Sequence, residues 1–74
     1  MTKLPRDVKG REMIAILTKL GFEKVGGKGS HIRLKHHDGR VTQVAVHPKP
    51  IPHGTLSAIL RQIEVNVEDL IKLR

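Results

Sequence analysis

The sequence predicts an α+β fold in which one three-stranded antiparallel sheet carries helices on one face. Three observations support this class. Apolar residues recur at helical spacing before residue 21 and again after residue 54. Between these stretches the residues alternate with the two-residue period of half-buried strands. Turn-forming glycines separate the alternating runs, and all of 1–74 is assigned to one small domain.

The first helix is predicted over residues 9–20. Its apolar stripe consists of Met13, Ile14, Leu17 and Leu20. Asp7 is the candidate N-cap, because a short carboxylate can accept the free N–H groups of the first turn. Gly21 stands where a left-handed residue commonly ends a helix, so that Phe22 can pack back toward the core.

Three strands are predicted over residues 22–25, 30–36 and 41–46. The first turn covers residues 26–29, and Asp38-Gly39 marks a second hairpin. Alternation places Ile32 and Leu34 toward the core and His31, Arg33 and Lys35 toward solvent. In the third strand, one face carries Thr42, Val44 and Val46, and the other carries Gln43 and Ala45.

The region after the strands begins with three prolines within residues 47–53, which indicate an irregular crossing segment. A second helix is expected to open at Gly54-Thr55, with a core stripe of Leu56, Ile59, Leu60 and Ile63. Asn66 then resembles an N-cap followed by acidic residues. The short last helix that it begins is predicted to turn Val67, Leu70 and Ile71 inward.

The charge of the chain favours a polyanionic partner. Lys and Arg number 14 against 7 acidic residues, a net charge of +7, and ten of the basic residues lie in the first forty positions. One Phe and no Trp or Tyr argue against a membrane-surface helix with aromatic anchors and against single-strand binding by stacking. No apolar run reaches membrane-spanning length, so no membrane partner is expected.

The absence of cysteine excludes disulfides and thiolate zinc sites, and it agrees with a cytoplasmic location. Histidine spacing does not suggest a metal site either. His36 and His37 are adjacent and expected to face opposite ways on a strand, while His47 and His53 are separated by the proline-rich segment. No metal ion or other cofactor is therefore expected.

The stretch 26–34 is the candidate working site. Three glycines precede Ser30 and His31, and glycine allows backbone to lie close to a ligand. His31 is a titratable side chain at the start of a strand, with Lys28 and Arg33 nearby. This arrangement is suited to holding a phosphodiester beside an imidazole, although an ordinary exposed strand histidine gives the same pattern.

The candidate phosphate-binding groups are Lys28, Gly29, Ser30, Arg33 and Lys35. Lys24 and Arg40 are candidates for extending the basic patch. Ser30 is not expected to be a nucleophile, because no histidine–carboxylate relay accompanies it.

Several short motifs together resemble the HicA family, the toxins of HicA–HicB toxin–antitoxin pairs. They are Leu17–Gly21–Phe22, Gly29-Ser30-His31, Val44-x-Val46-His47 and the helix opening at Gly54-Thr55-Leu56-Ser57. The resemblance runs from Leu4 to the Val67–Leu70 end. It departs from the family pattern at Ala45, where proline is common, and in a strand without an aromatic residue after Gly-Ser-His.

The resemblance implies a double-stranded-RNA-binding-like α-β-β-β-α fold and ribosome-independent cleavage of mRNA, with His31 as the catalytic residue. It also implies a HicB-like antitoxin partner that binds over this region and masks it. The expected reaction needs only proton transfer at the ribose 2′-hydroxyl and stabilisation of a charged phosphorane, so it is expected to be metal-independent. Two alternatives stay open: a non-catalytic RNA-binding module of the same fold, and an interaction protein whose basic face meets an acidic partner.

Overall fold

The computed structural model describes residues 2–74 and has the element order α1-β1-β2-β3-α2-α3. The elements are α1 (Gly10–Lys19), β1 (Glu23–Lys28), β2 (His31–Lys35), β3 (Val41–Ala45), α2 (His53–Ile63) and α3 (Val67–Leu73). The strands form one antiparallel sheet in the order β1-β2-β3. The predicted α+β class and the predicted order of elements are confirmed.

Helix α1 ends as predicted but begins differently. Gly21 has φ +97°, and the Phe22 N–H donates to the Leu17 carbonyl at 2.9 Å, which closes a Schellman motif. The predicted N-cap Asp7 is wrong: Lys9 is the N-cap, and its side chain makes no capping bond. The Asp7 carboxylate is instead bound by the Arg74 guanidinium at 3.0 Å.

That contact ties the two ends of the described chain together. Arg74 also donates to Glu12, from Nε to Oε2 at 2.7 Å. The hydrogen bond from Arg74 lowers the pKa of Asp7, with a further contribution from the positive charge, and both carboxylates raise the pKa of Arg74.

Strand β1 is longer than predicted and includes most of the glycine stretch. Gly27 pairs with Ile32 and Lys28 pairs with His31, so the turn is reduced to Gly29-Ser30. Gly29 has φ +63°, which suits the first central position of a two-residue hairpin turn. The predicted strand 22–25 and turn 26–29 were wrong because glycines carry no side chain whose polarity indicates a strand, although their backbone groups pair as those of other residues do. The register also shifts between Lys24 and Gly26, which leaves Val25 as an extra residue in a bulge.

The helices pack on one face of the sheet, and the core lies between them. It is built from apolar side chains of every helix, of the two strands β2 and β3 and of the connecting segments: Val8, Met13, Ile16, Leu17, Phe22, Leu34, Val44, Ile51, Leu56, Ile59, Leu60, Ile63 and Leu70. The predicted alternation is confirmed, since Leu34 and Val44 are buried whereas Arg33 and Gln43 are exposed. Ile71 was predicted to face inward but is 42% exposed, because Leu73 takes the second inward position of α3.

The opposite side of the sheet is left uncovered. This open face is formed by the alternate side chains of β2 and β3: His31, Arg33, Lys35, Val41 and Gln43, all exposed. Within residues 2–74 no helix has both the length and the apolar character needed to cross a bilayer.

Candidate functional site

His31 is the first residue of β2 and lies on the open face directly after the Gly29-Ser30 turn. The strand ladder places Lys28 on one side of it and Ala45 on the other. Because Ala45 ends in a methyl group, the β3 neighbour leaves room beside the imidazole ring. Arg33 is the next residue of β2 on the same face, and it lies between Gly26 and Gln43.

These side chains enclose a shallow cavity of about 440 Å³, here called the His31 cavity. Its lining consists of Gly27, Lys28, His31, Arg33 and Gln43. One imidazole and two basic side chains therefore converge on the same volume. The structure brings together three of the residues predicted from the sequence, Lys28, His31 and Arg33.

Gly27 is a lining residue of the His31 cavity at which β1 lies in close backbone contact with β2. A Cβ at this position would overlap the His31 carbonyl oxygen and lie 3.1 Å from the Ile32 Cα, and its φ is +148°. Only glycine therefore fits here without moving β2.

Gln43 is the residue that sequence reasoning missed. Its side-chain Nε2 lies 3.0 Å from Nδ1 of His31. The sequence placed Gln43 on one face of the third strand but gave no sign of this partner. The signal is the register: Gln43 opposes Arg33, two residues beyond the His31–Ala45 pair, and long side chains interact across such a diagonal.

The other predicted phosphate-binding residues lie outside the cavity lining. Gly29 and Ser30 form the turn, where the Ser30 carbonyl accepts the Val46 N–H at 2.8 Å. Lys35 lies at the far end of β2, between Glu23 and Val41. Their predicted roles remain predictions.

Arg40 does not extend the basic patch, and that prediction was wrong. Its guanidinium binds Asp38 at 2.9 Å, donates to the Ile63 carbonyl and lies 5.1 Å from the centre of the Phe22 ring. Desolvation opposes ionisation of Asp38, but the backbone N–H and the charge of Arg40 outweigh it and lower the pKa of Asp38. Arg40 therefore ties the second hairpin turn to the end of α2.

His36 is a buried structural residue. Its Nε2 donates to the Leu20 carbonyl at 3.1 Å, and its Nδ1 accepts the Asp38 N–H at 3.2 Å. The prediction that His36 and His37 face opposite ways was wrong, because β2 ends at Lys35 and the two rings stack at 4.3 Å in the turn. No group of three or more His, Cys, Asp or Glu within 2–74 is placed to hold a metal ion.

A larger groove of about 830 Å³ lies between the N-terminal segment and helices α2 and α3. Lys3, Arg6, His53 and Arg61 are among its lining residues. We favour the smaller cavity as the site, because there a ring nitrogen is oriented by a hydrogen bond and two cations lie beside it. The larger volume of the other groove does not by itself indicate a catalytic site.

Comparison with known proteins identifies the family. Residues 10–65, about three quarters of the chain, match the model of a family described as "HicA toxin of bacterial toxin-antitoxin". The matched segment runs from the start of α1 to the residue after the α2 C-cap, and so it includes every residue of the His31 cavity. No curated protein sequence matches the chain significantly.

Proposed function

The chain belongs to the HicA family of toxins from bacterial toxin–antitoxin systems, and on this premise we propose that it is an endoribonuclease that cleaves mRNA. In this proposal the chain acts as a single toxin domain in the cytoplasm, without help from the ribosome. A HicB-like antitoxin holds it inactive by covering the open face.

The observation that carries the proposal is the His31 cavity. RNA supplies its own nucleophile, the 2′-hydroxyl next to each phosphate, so a nuclease needs a group that moves protons and groups that stabilise negative charge. Histidine is the side chain that most often transfers protons in enzyme active sites, and His31 supplies one here. Lys28 and Arg33 lie beside it and can neutralise the phosphate as charge develops.

The proposed reaction is an in-line attack of the 2′-oxygen on the adjacent phosphorus. His31 accepts the 2′-hydroxyl proton or donates a proton to the departing 5′-oxygen, a role that contributes typically ~10²–10⁴-fold to the rate, and solvent water carries out the other proton transfer. The bond from phosphorus to the 5′-oxygen breaks as the bond to the 2′-oxygen forms. The products are a 2′,3′-cyclic phosphate and a 5′-hydroxyl, and the proton transfers do not consume a cofactor.

The surroundings of the cavity favour contact with the RNA backbone rather than with the bases. The open face carries Arg33 and Lys35 but no aromatic side chain on which a base can stack. We therefore expect cleavage of many messages with modest sequence preference and with affinity that falls as salt rises.

The test is expression of the wild type and of His31→Ala without an antitoxin. His31 is exposed, so its loss should leave the fold unchanged while cleavage of purified RNA falls by about 10²-fold or more. His37→Ala is the matched control, because His37 is an exposed histidine outside the cavity lining. Growth arrest should follow cleavage in all three proteins.

Analysis of the RNA products and measurement of RNA binding distinguish the possible outcomes. Cyclic phosphate ends on the wild-type products and intact RNA with His31→Ala support the proposal. Equal cleavage by His31→Ala and the wild type refutes the role of His31. RNA binding by a wild type that leaves the RNA whole indicates a non-catalytic RNA-binding module instead.

A further inference from the structure

The His31 ring is oriented by one side chain. Among the residues described, its only hydrogen bond is the one from Gln43 to Nδ1 at 3.0 Å. The other ring nitrogen, Nε2, has no protein partner in that part of the chain, so it is the atom that is open to a ligand in the cavity. The bond crosses the ladder diagonally, beside the short side chain of Ala45 that leaves the ring unobstructed.

The chemistry of the amide determines what this bond does. When the amide nitrogen faces the ring it can only donate, so Nδ1 accepts and a neutral ring then carries its proton on Nε2. When the amide turns end for end, its oxygen accepts a proton from Nδ1, and Nε2 is then free to act as a base. One glutamine can therefore support both the form of His31 that gives a proton and the form that takes one.

A carboxylate at the same position cannot do this. It accepts only, so it fixes the proton on Nδ1 and favours the cationic ring. It also neutralises part of the positive charge that Lys28 and Arg33 place in the cavity. A neutral amide orients the ring without either effect.

We propose that Gln43 is a positioning residue, which holds the His31 ring through Nδ1 so that Nε2 faces the scissile phosphodiester. This role rests on the proposed function, since it concerns the same reaction. Gln43 itself does not touch the reacting atoms. Its contribution is to restrict the rotation of an exposed ring that has no other partner among the residues described.

The first arm of the test does not depend on activity. In Gln43→Glu the new carboxylate lies next to Nδ1, so the midpoint of the His31 titration, followed by NMR of the ring signals, should move about one pH unit upward. Val41→Glu is the matched control: it adds the same charge on the same strand and face, opposite Lys35. Its effect on His31 should be a few tenths of a pH unit. Equal midpoints in the two variants overturn the proposal.

The second arm measures cleavage. Gln43→Leu keeps the approximate size of the side chain and removes the amide, so kcat should fall roughly 10- to 100-fold while KM changes less than about threefold. In a His31→Ala background the same substitution should cause no further loss. An unchanged kcat, or a full additional loss in that background, overturns the positioning role.

The two arms separate this proposal from the proposed function. If the wild type does not cleave RNA, the proposed function fails and positioning for catalysis fails with it. The NMR midpoints still decide whether the amide holds the ring. If the wild type cleaves but Gln43→Leu cleaves equally well, only the role of Gln43 is refuted.

Discussion

Gly10→Ala tests how α1 is seated on the sheet. Gly10 is the first residue of α1 and is fully covered by the end of β3. A Cβ at this position would overlap the Ala45 carbonyl oxygen and lie 3.1 Å from the Ala45 carbonyl carbon and 3.2 Å from the Val46 Cα. All three are backbone atoms, so the added methyl group fits only if α1 or the end of β3 moves.

Two effects of opposite sign determine how Gly10→Ala changes the free energy of unfolding. Helix propensity alone favours alanine over glycine by about 1 kcal/mol. Overpacking against a fixed neighbour costs about 1–3 kcal/mol, and a backbone neighbour has little freedom to relax. We therefore expect the steric effect to win by about 1 kcal/mol. In a domain of 74 residues this lowers Tm by roughly 4–8 °C.

Gly54→Ala is the matched control. Gly54 is the second residue of α2, and no atom lies within 4 Å of a Cβ at its position. Propensity acts there without steric opposition, so this variant should be more stable than the wild type by about 0.5–1 kcal/mol.

Urea unfolding followed by circular dichroism measures both variants. The midpoint should fall for Gly10→Ala and rise for Gly54→Ala, with the slope m unchanged. A rise of similar size in both variants would refute the reasoning, because it would mean that α1 is not in contact with the Ala45 carbonyl in solution. Ala45 pairs with His31, so Gly10→Ala should also lower RNA cleavage.

Two further predictions concern single side chains. Glu64 has a left-handed backbone at φ 59°, where glycine is preferred, so Glu64→Gly should raise the urea midpoint by the equivalent of about 0.5–1 kcal/mol. The control Glu68→Gly, inside the first turn of α3, should lower the midpoint. A lower midpoint for both variants would contradict this account. The pKa of Asp7 is lowered from 3.8 in the fold, so its contribution to stability is present above that pH and is lost as pH falls through the folded value. Between pH 5 and pH 3 the Tm should therefore decrease less steeply for Asp7→Asn than for the wild type. Parallel curves of Tm against pH would exclude this contribution.

Much of the fold could be predicted because the polarity of each side chain indicates which side of its helix or strand is buried. In β2 each residue shows its own face by being apolar or charged, and the two faces were assigned correctly. The Schellman end of α1 follows from Gly21 alone. By contrast, β1 is held by backbone pairing through glycines, which give no alternating signal, and its length was underestimated.

The other errors, in the fold and in the candidate site, come from contacts between residues far apart in sequence. Asp7 binds Arg74 rather than capping α1, and Arg40 binds the end of α2 rather than extending the basic patch. Gln43 reaches His31 only because of the register between β2 and β3. Neither composition nor periodicity determines which distant partner a polar side chain finds.

Because β2 has one buried side and one exposed side, the residues that stabilise the fold differ from those that are available for binding or catalysis. Ile32 and Leu34 pack toward the core, while His31, Arg33 and Lys35 are exposed. Substitutions at His31 or Arg33 should therefore remove the proposed activity and leave the fold intact. Under the proposed function, a His31 variant should bind RNA without cleaving it, so that a complex with intact RNA becomes accessible to structural study.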